Sequence, residues 1–218
     1  MTMNRCYLNL TALALAIAVT TGCLQKDVTE TWYVDGDGTV TWVVHEQNVR
    51  SDAQAPADRM REESEYWLAV QQDRHGVLAG LRELGGEKLR TRVLRSEVPY
   101  TVQTESTFAG LDVIGQRLIA AVGTTGTSVV RRTSDGAFEW SLVARDPSAL
   151  GAAFEPSDGV SELLDSLEHL GVVLVRGRFE SAEGFTILGD RRAAKFSFKE
   201  PDQKRNDEPA VSLKLVWR

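Results

Sequence analysis

The side chains able to do acid–base, metal or nucleophilic chemistry are few and scattered: three histidines and two cysteines in 218 residues. His45-Glu46 is the best pair, since an imidazole beside a carboxylate could serve as a general base. Both lie in a stretch that reads as a strand, where neighbours leave opposite faces, so the two side chains would not meet. His75 stands where one helical segment gives way to the next and is read as capping a helix C-terminus, where its cation is favourable. His169, in the last turn of a later helix, has the same reading. Histidines so dispersed offer no metal-ligand spacing. Asp35-Gly36-Asp37-Gly38 opens like a calcium loop, but Thr39-Val40-Thr41-Trp42-Val43 returns to a strand without the later acidic ligand, which leaves a tight turn. Glu62, Glu63 and Glu65 beside Arg59 and Arg61 read as a solvated helix face. Lys88, Arg90 and Arg92 alternate along a strand and would project from one face, with Leu89, Thr91 and Val93 turned to the core. That positive stripe is the candidate binding surface, suited to lipid headgroups or an anionic polymer. No nucleophile elbow, zinc-protease helix or phosphate-cradling loop occurs, so the sequence implies no catalytic residue, metal or cofactor.

One cysteine carries a different chemistry. Arg5 provides a positive start, Leu8 to Val19 an apolar run, and Thr21-Gly22-Cys23 two small residues before a thiol. This end of the chain resembles a bacterial lipoprotein signal, although Thr20 stands where the lipobox usually has Leu. The resemblance implies cleavage before Cys23, diacylglycerol on its sulfur and acylation of its new amino group. The apolar run is too short to span a bilayer, which takes about 20 residues. Leu24 follows the cysteine where an Asp would imply inner-membrane retention in enteric bacteria, so the implied location is the envelope, on the outer membrane facing the periplasm. Cys6 leaves with the signal, the Cys23 sulfur is occupied, and no disulfide remains to be made even in an oxidising compartment.

The residues after the signal divide into a short tether, 23–27, and one domain, 28–218. Val28 to Val34 and Thr39 to Val44 form a hairpin, which places Tyr33, Val40, Trp42 and Val44 on one face. After a loop from Asn48 to Ala55, Pro56 opens a helix to about Asp73, with Met60, Trp67, Leu68 and Val70 as its apolar side. A second helix runs Val77 to Leu84. Strands follow at Leu89 to Arg95 and Tyr100 to Phe108, and a helix with Leu111, Ile114, Leu118 and Val122 at helical spacing should lie on a sheet. Val129 to Thr133 and Ala137 to Ala144 make another hairpin. A loop from Pro147 to Pro156 leads to a helix from about Val160 to Leu170, capped by Ser157 or Asp158 and ended by Gly171. Val172 to Phe179, Phe185 to Leu188, Lys195 to Phe198 and Val211 to Trp217 complete the strands, and Glu200 to Pro209 is an exposed loop. Strand pairs separated by three or four helices predict an α+β fold with an antiparallel sheet. Leu81-Arg82-Glu83-Leu84-Gly85 and Leu167-Glu168-His169-Leu170-Gly171, each followed by two strands, are alike enough to mark a repeated unit or two similar amphipathic helix ends. The early hairpin and the helix opening after Phe108-Ala109-Gly110-Leu111 also resemble the order in LppM-like mycobacterial lipoproteins. No catalytic motif accompanies that pattern.

With 31 acidic and 25 basic residues the chain carries a formal net charge of −6, which argues against a nucleic-acid partner held by phosphate contacts. Trp32, Trp42, Trp67, Trp140 and Trp217 fall in expected strands and a helix and read as core. The expected protein is a membrane-anchored envelope lipoprotein that binds an envelope protein or lipid, or plays a structural part. A lipid carrier would instead need an open apolar cavity. An envelope hydrolase would need His45 or a carboxylate pair in a cleft.

Overall fold

A computed structural model describes residues 23–145, 156–197 and 211–218. In chain order the elements are β1 (Leu24–Val34), β2 (Val40–Ser51), α1 (Pro56–Gln71), α2 (Gly76–Glu83), β3 (Glu87–Arg95), β4 (Tyr100–Phe108), α3 (Leu111–Ala121), β5 (Gly126–Arg132) and β6 (Phe138–Ala144). There follow α4 (Asp158–Ser166), a 3₁₀ turn (Leu167–His169), β7 (Leu170–Leu174), β8 (Phe179–Glu183), β9 (Phe185–Ile187), β10 (Ala193–Phe196) and β11 (Val211–Trp217). The strands form a seven-stranded sheet, β3-β4-β2-β1-β7-β10-β9, and a four-stranded sheet, β5-β6-β11-β8. The fold is α+β and its pairing is antiparallel except between β1 and β7, which the helices let the chain re-enter in parallel.

Aromatic side chains join the two sheets. Trp32 meets Trp42 edge-on at 5.3 Å within the large sheet and Trp140 of the small sheet at 6.2 Å. All three are at most 2% exposed, and each buried ring contributes on the order of 2–3 kcal/mol of transfer free energy. Trp217 is buried with them. Trp67 is half-buried and stacks at 5.1 Å on Tyr100, in a smaller cluster where α1 covers the far end of the large sheet. Along β4 the alternation puts Tyr100, Val102, Thr104, Ser106 and Phe108 inside, as the period-2 reading requires.

The first hairpin differs from expectation by one residue: Val40, Trp42 and Val44 face the core as expected, but every side chain of β1 changes face. Thr39 belongs to the loop: Asp35 N donates to its carbonyl, and Asp37 Oδ1 accepts from both its N–H and its hydroxyl. Val34 therefore pairs with Val40 and Trp32 with Trp42. A one-residue slip exchanges the faces of a strand. Trp32 and Val34 accordingly face the core, while Tyr33 is 40% exposed. The ribbon is also longer than its β-branched centre indicated, because β1 starts at Leu24 and β2 runs to Ser51 through a bulge. Residues Leu24 to Asp27 are thus strand, not tether.

Other elements shift in smaller ways. Helix α1 buries Tyr66 and Val70, leaving Met60 and Leu68 exposed, because it meets only the end of the sheet. Ser157 caps α4, whose Val160 N–H it accepts, but the helix gives way at Leu167, and Gly171 lies inside β7. Strand β8, not foreseen, leaves the large sheet for the small one. The two similar stretches differ in pairing: β3 and β4 are paired neighbours, whereas β7 and β9, which carries Phe185-Thr186-Ile187, share the large sheet with β10 between them. The loops expected at Pro147 to Pro156 and Glu200 to Pro209 fall almost wholly outside the described residues.

Helices α2 and α4 cross on glycine. A Cβ on Gly80 would lie 2.3 Å from the Gly159 carbonyl oxygen, and one on Gly159 would lie 2.4 Å from that of Gly76. In an open helix Gly80→Ala would gain about 1 kcal/mol of helix propensity. Here the backbone contact leaves no room, and overpacking costs typically 1–3 kcal/mol. Gly80→Ala should therefore lower the urea midpoint with an unchanged slope. A raised midpoint would refute the glycine contact.

Candidate functional site

Three strands and three helices converge on a buried polar cluster that sequence spacing did not reveal. β1 supplies Lys26 and Glu30, β2 Glu46, α1 Tyr66, the residue before α2 His75, β4 Thr104, and α4 Glu162 and Ser166. Lys26 Nζ donates to Glu46 Oε1 at 2.8 Å and also to Glu162. His75 Nε2 is 2.9 Å from Thr104 Oγ1 and 3.8 Å from Glu46 Oε2, the latter beyond hydrogen-bond length. The Tyr66 hydroxyl approaches the same carboxylate outside hydrogen-bond geometry. Glu46 thus points away from its neighbour His45, as strand alternation demands, and finds His75 across the sheet.

Burial sets the protonation of this group. It lowers the Lys26 pKa, but Glu46 and Glu162 outweigh that and hold the ammonium above its ordinary value. Burial raises Glu162, with Lys26 acting against it and Glu46 adding to it. His75 is pushed down to about 4, chiefly by burial, so the ring is neutral. It sits at the N-cap of α2, not at a helix C-terminus, where a cation would be unfavourable as well as desolvated. Burial likewise raises Tyr66 well above the phenol range, helped by the charges of Glu46 and Glu162.

Glu30 is linked to the other side of the cluster. Its carboxyl accepts from Trp42 Nε1 at 3.0 Å and contacts Ser166 Oγ. Burial raises it to about 8, although both hydrogen bonds pull downward. Ser166 Oγ is the donor to Glu30 Oε1, and the same hydroxyl lies 3.1 Å from Glu162 O and 3.2 Å from Leu163 O of α4.

Chemically this arrangement locks elements together more than it presents a reagent. The side chains of Glu46 and His75 are each 1% exposed, so neither can reach a substrate. Of the cluster, Lys26, Glu162 and Ser166 line a groove of about 490 Å³ that also includes Asp165, Glu168 and His169. Lys26 and Glu162 pair with each other there. Among the described residues no group of three or more His, Cys, Asp or Glu could hold a metal ion.

The other residues singled out above are spread over the surface. Cys23 is exposed at the start of β1; its N–H donates to Asp52 Oδ1 at 2.6 Å and its carbonyl accepts from Asp52 N at 3.2 Å. Arg90 and Arg92 project together towards one carboxylate, Glu105, at 3.9 and 3.8 Å. Lys88 adopts φ 49° beside a register shift, which interrupts the even alternation. Strand β3 is the sheet edge, and burial fades along its inner face, from half-buried Leu89 and Thr91 to Val93 at 43% exposed. His45 is half-buried on the opposite face to Glu46, and exposed His169 lies 3.3 Å from Glu168. Asp35 and Asp37 serve the turn. Glu62 and Glu63 are not solvated: both reach back to Ser51, at 2.5 and 3.2 Å, and tie α1 to the end of β2.

No family model, no curated protein and no solved structure matches this chain.

The cluster makes stability depend on pH in a testable way. Folded Glu30 keeps its proton up to about pH 8, whereas the unfolded carboxyl loses it near 4.5, so stability falls as pH rises through that interval. His75 acts oppositely: folding keeps it neutral down to about pH 4 against an ordinary 6.5, so stability falls as pH drops between them. The Glu30 and His75 slopes oppose each other from about pH 4.5 to 6.5; above that Glu30 acts without His75, and Glu162, also raised by burial, adds in the same sense. Wild-type protein should lose about 2 kcal/mol between roughly pH 6.5 and 8, and Glu30→Gln should remove most of that slope, as followed by urea unfolding. An unchanged slope in the variant would place the titration elsewhere. Lys26→Met, which strands two partly buried carboxylates, should cost about 3 kcal/mol at neutral pH in the same assay.

Proposed function

We propose that this protein is a bacterial envelope lipoprotein, anchored through acyl chains on Cys23, whose folded domain binds or supports another envelope component and performs no catalysis of its own. The observation that carries the reading is Cys23 itself: an exposed thiol preceded by Thr21-Gly22 and an apolar run, standing at the mouth of the first strand. A diacylglycerol there would meet no protein surface. Acylation of the amino group would leave one N–H, so the hydrogen bond to Asp52 survives as an amide donor. Several acyl chains on one residue hold a protein firmly, at about 0.8 kcal/mol per buried methylene.

Because β1 begins at Leu24, the anchor joins a rigid ribbon with little slack, and the Cys23 end of the large sheet would rest near the bilayer. The two larger described cavities are lined mainly by charged side chains, which favours a surface-binding role over an apolar-ligand carrier. The buried placement of His75 and Glu46 weighs against hydrolysis at that histidine–carboxylate pair.

Cys23→Ser tests the anchor. The wild-type chain, expressed in a bacterial host with lipoprotein processing, should sediment with membranes and carry the mass of a diacylglycerol. The variant should lose both. Equal membrane partition with equal mass in the two proteins would refute acylation at Cys23.

A further inference from the structure

Five arginines gather at the opposite end of the large sheet. Arg176 and Arg178 flank Gly177 in the turn from β7 to β8, Arg191 and Arg192 precede β10, and Arg218 follows β11; together they line an open cavity of about 940 Å³. Glu180 is the carboxylate on its wall. It pairs with Arg218 at 3.4 Å, and Arg218 also binds Asp135 at 2.7 Å. Among the described residues no carboxylate forms an ion pair with the guanidinium of Arg176, Arg178, Arg191 or Arg192; Asp190, in the same turn, accepts from the Arg192 backbone N–H at 2.9 Å. In a chain with a formal net charge of −6, such a gathering of uncompensated cations runs against the general distribution of charge.

The scaffold under these cations is rigid. Arg191 Nε donates to the Phe179 carbonyl at 2.8 Å, and its Nη2 donates to the Glu180 carbonyl at 2.5 Å. Arg192 Nη2 donates to the Val175 carbonyl at 2.7 Å. These bonds orient the guanidinium groups but leave their charge in place. Arg191 is itself held at φ 60°, in the left-handed region that a long side chain avoids. Its backbone is pinned there by hydrogen bonds with Leu188 and Phe179. Gly177, at φ 90°, lets the Arg176–Arg178 turn close on Arg218: a Cβ would sit 2.3 Å from the Arg218 oxygen, while Arg178 and Arg218 exchange backbone bonds of 2.8 and 3.1 Å. Arg176 and Arg178 make no side-chain hydrogen bond to the described residues, and their donors remain available to a ligand.

We propose that this arginine-lined cavity binds a phosphoryl anion carrying two or more charges, of diphosphate size. Guanidinium forks match tetrahedral oxyanions through paired N–H donors, and a polyanion supplies the counter-charge that the protein withholds. Position narrows the source. Val175 N donates to Val34 O, so the cavity opens beside the last residue of β1. Cys23 lies before the first residue of that 11-residue strand, roughly 35 Å away. On the anchored reading the cavity faces away from its own membrane, towards soluble or polymer-borne phosphate. The site does not depend on that reading.

The test is calorimetric titration of the purified full-length chain with pyrophosphate at constant ionic strength, alongside Arg176→Ala and Arg178→Ala. Both side chains are exposed and free of side-chain hydrogen bonds, so the variants should melt as the wild type does. Saturable binding to the wild type, weakened about tenfold or more in each variant, supports the site with a soluble ligand. Binding to phosphatidylglycerol vesicles but not to pyrophosphate or phosphatidylcholine vesicles overturns it, since that phosphodiester carries a single charge and the site would then be a general anionic-surface contact. Binding to neither probe, or binding that both variants retain in full, overturns it.

Discussion

One ammonium group holds the centre of this protein in register. Lys26 lies between Glu46 and Glu162, and without it two carboxylates from different elements would face one another with only a neutral imidazole nearby. Desolvating charges is costly, and the cost is offset only when geometry and hydrogen bonding are good. The sheet and α4 must therefore meet in the one arrangement that brings both oxygens to Nζ. Glu30 adds a second link between the same partners by the opposite strategy: it gives up its charge, keeps its proton and shares hydrogen bonds with Trp42 and Ser166.

Around that centre the molecule is organised lengthwise along β1. At its start stands Cys23, clamped by Asp52 across the ribbon. In its middle the inward side chains alternate from polar to aromatic, Lys26 and Glu30 giving way to Trp32. At its end the backbone passes to the turn that carries Arg176 and Arg178. The parallel pairing of β1 with β7 makes this possible, since a chain returning antiparallel would bring the β7–β8 turn back towards Cys23. On the proposed reading, an anchor at one end and a charged opening at the other suit a protein that displays a site at a distance from the surface holding it.

Local chemistry was legible from sequence wherever neighbours decide structure. The Asp-Gly turn, the alternation of β4, the amphipathic period of α3 and the Ser157 cap each depend on a few adjacent residues. Register was less legible because one loop residue, Thr39, is also a good strand former, and assigning it to the strand turns Tyr33 inward where Trp32 belongs. The exposure of Met60 and Leu68 follows from how far α1 overlaps the sheet, which no periodicity encodes. The polar cluster left one trace in the sequence, a Lys and two Glu in otherwise apolar-facing strand positions, but a charge at such a position does not say what neutralises it.

The sequence by itself determined the features that a short stretch of chain carries within it: the apolar segment ending at Cys23, the strand and helix composition of an α+β domain, and the absence of a contiguous catalytic motif. Tertiary structure alone decided which side chains meet. Glu46 finds His75 and Lys26 instead of His45 because the sheet and α4 close over one of its faces. Arg176, Arg191 and Arg218 become neighbours because the β7–β8 turn, the β9–β10 turn and the residue after β11 meet at one end of the large sheet. Both outcomes rest on contacts between residues far apart in the chain, and such contacts are selected by the packing of the whole core.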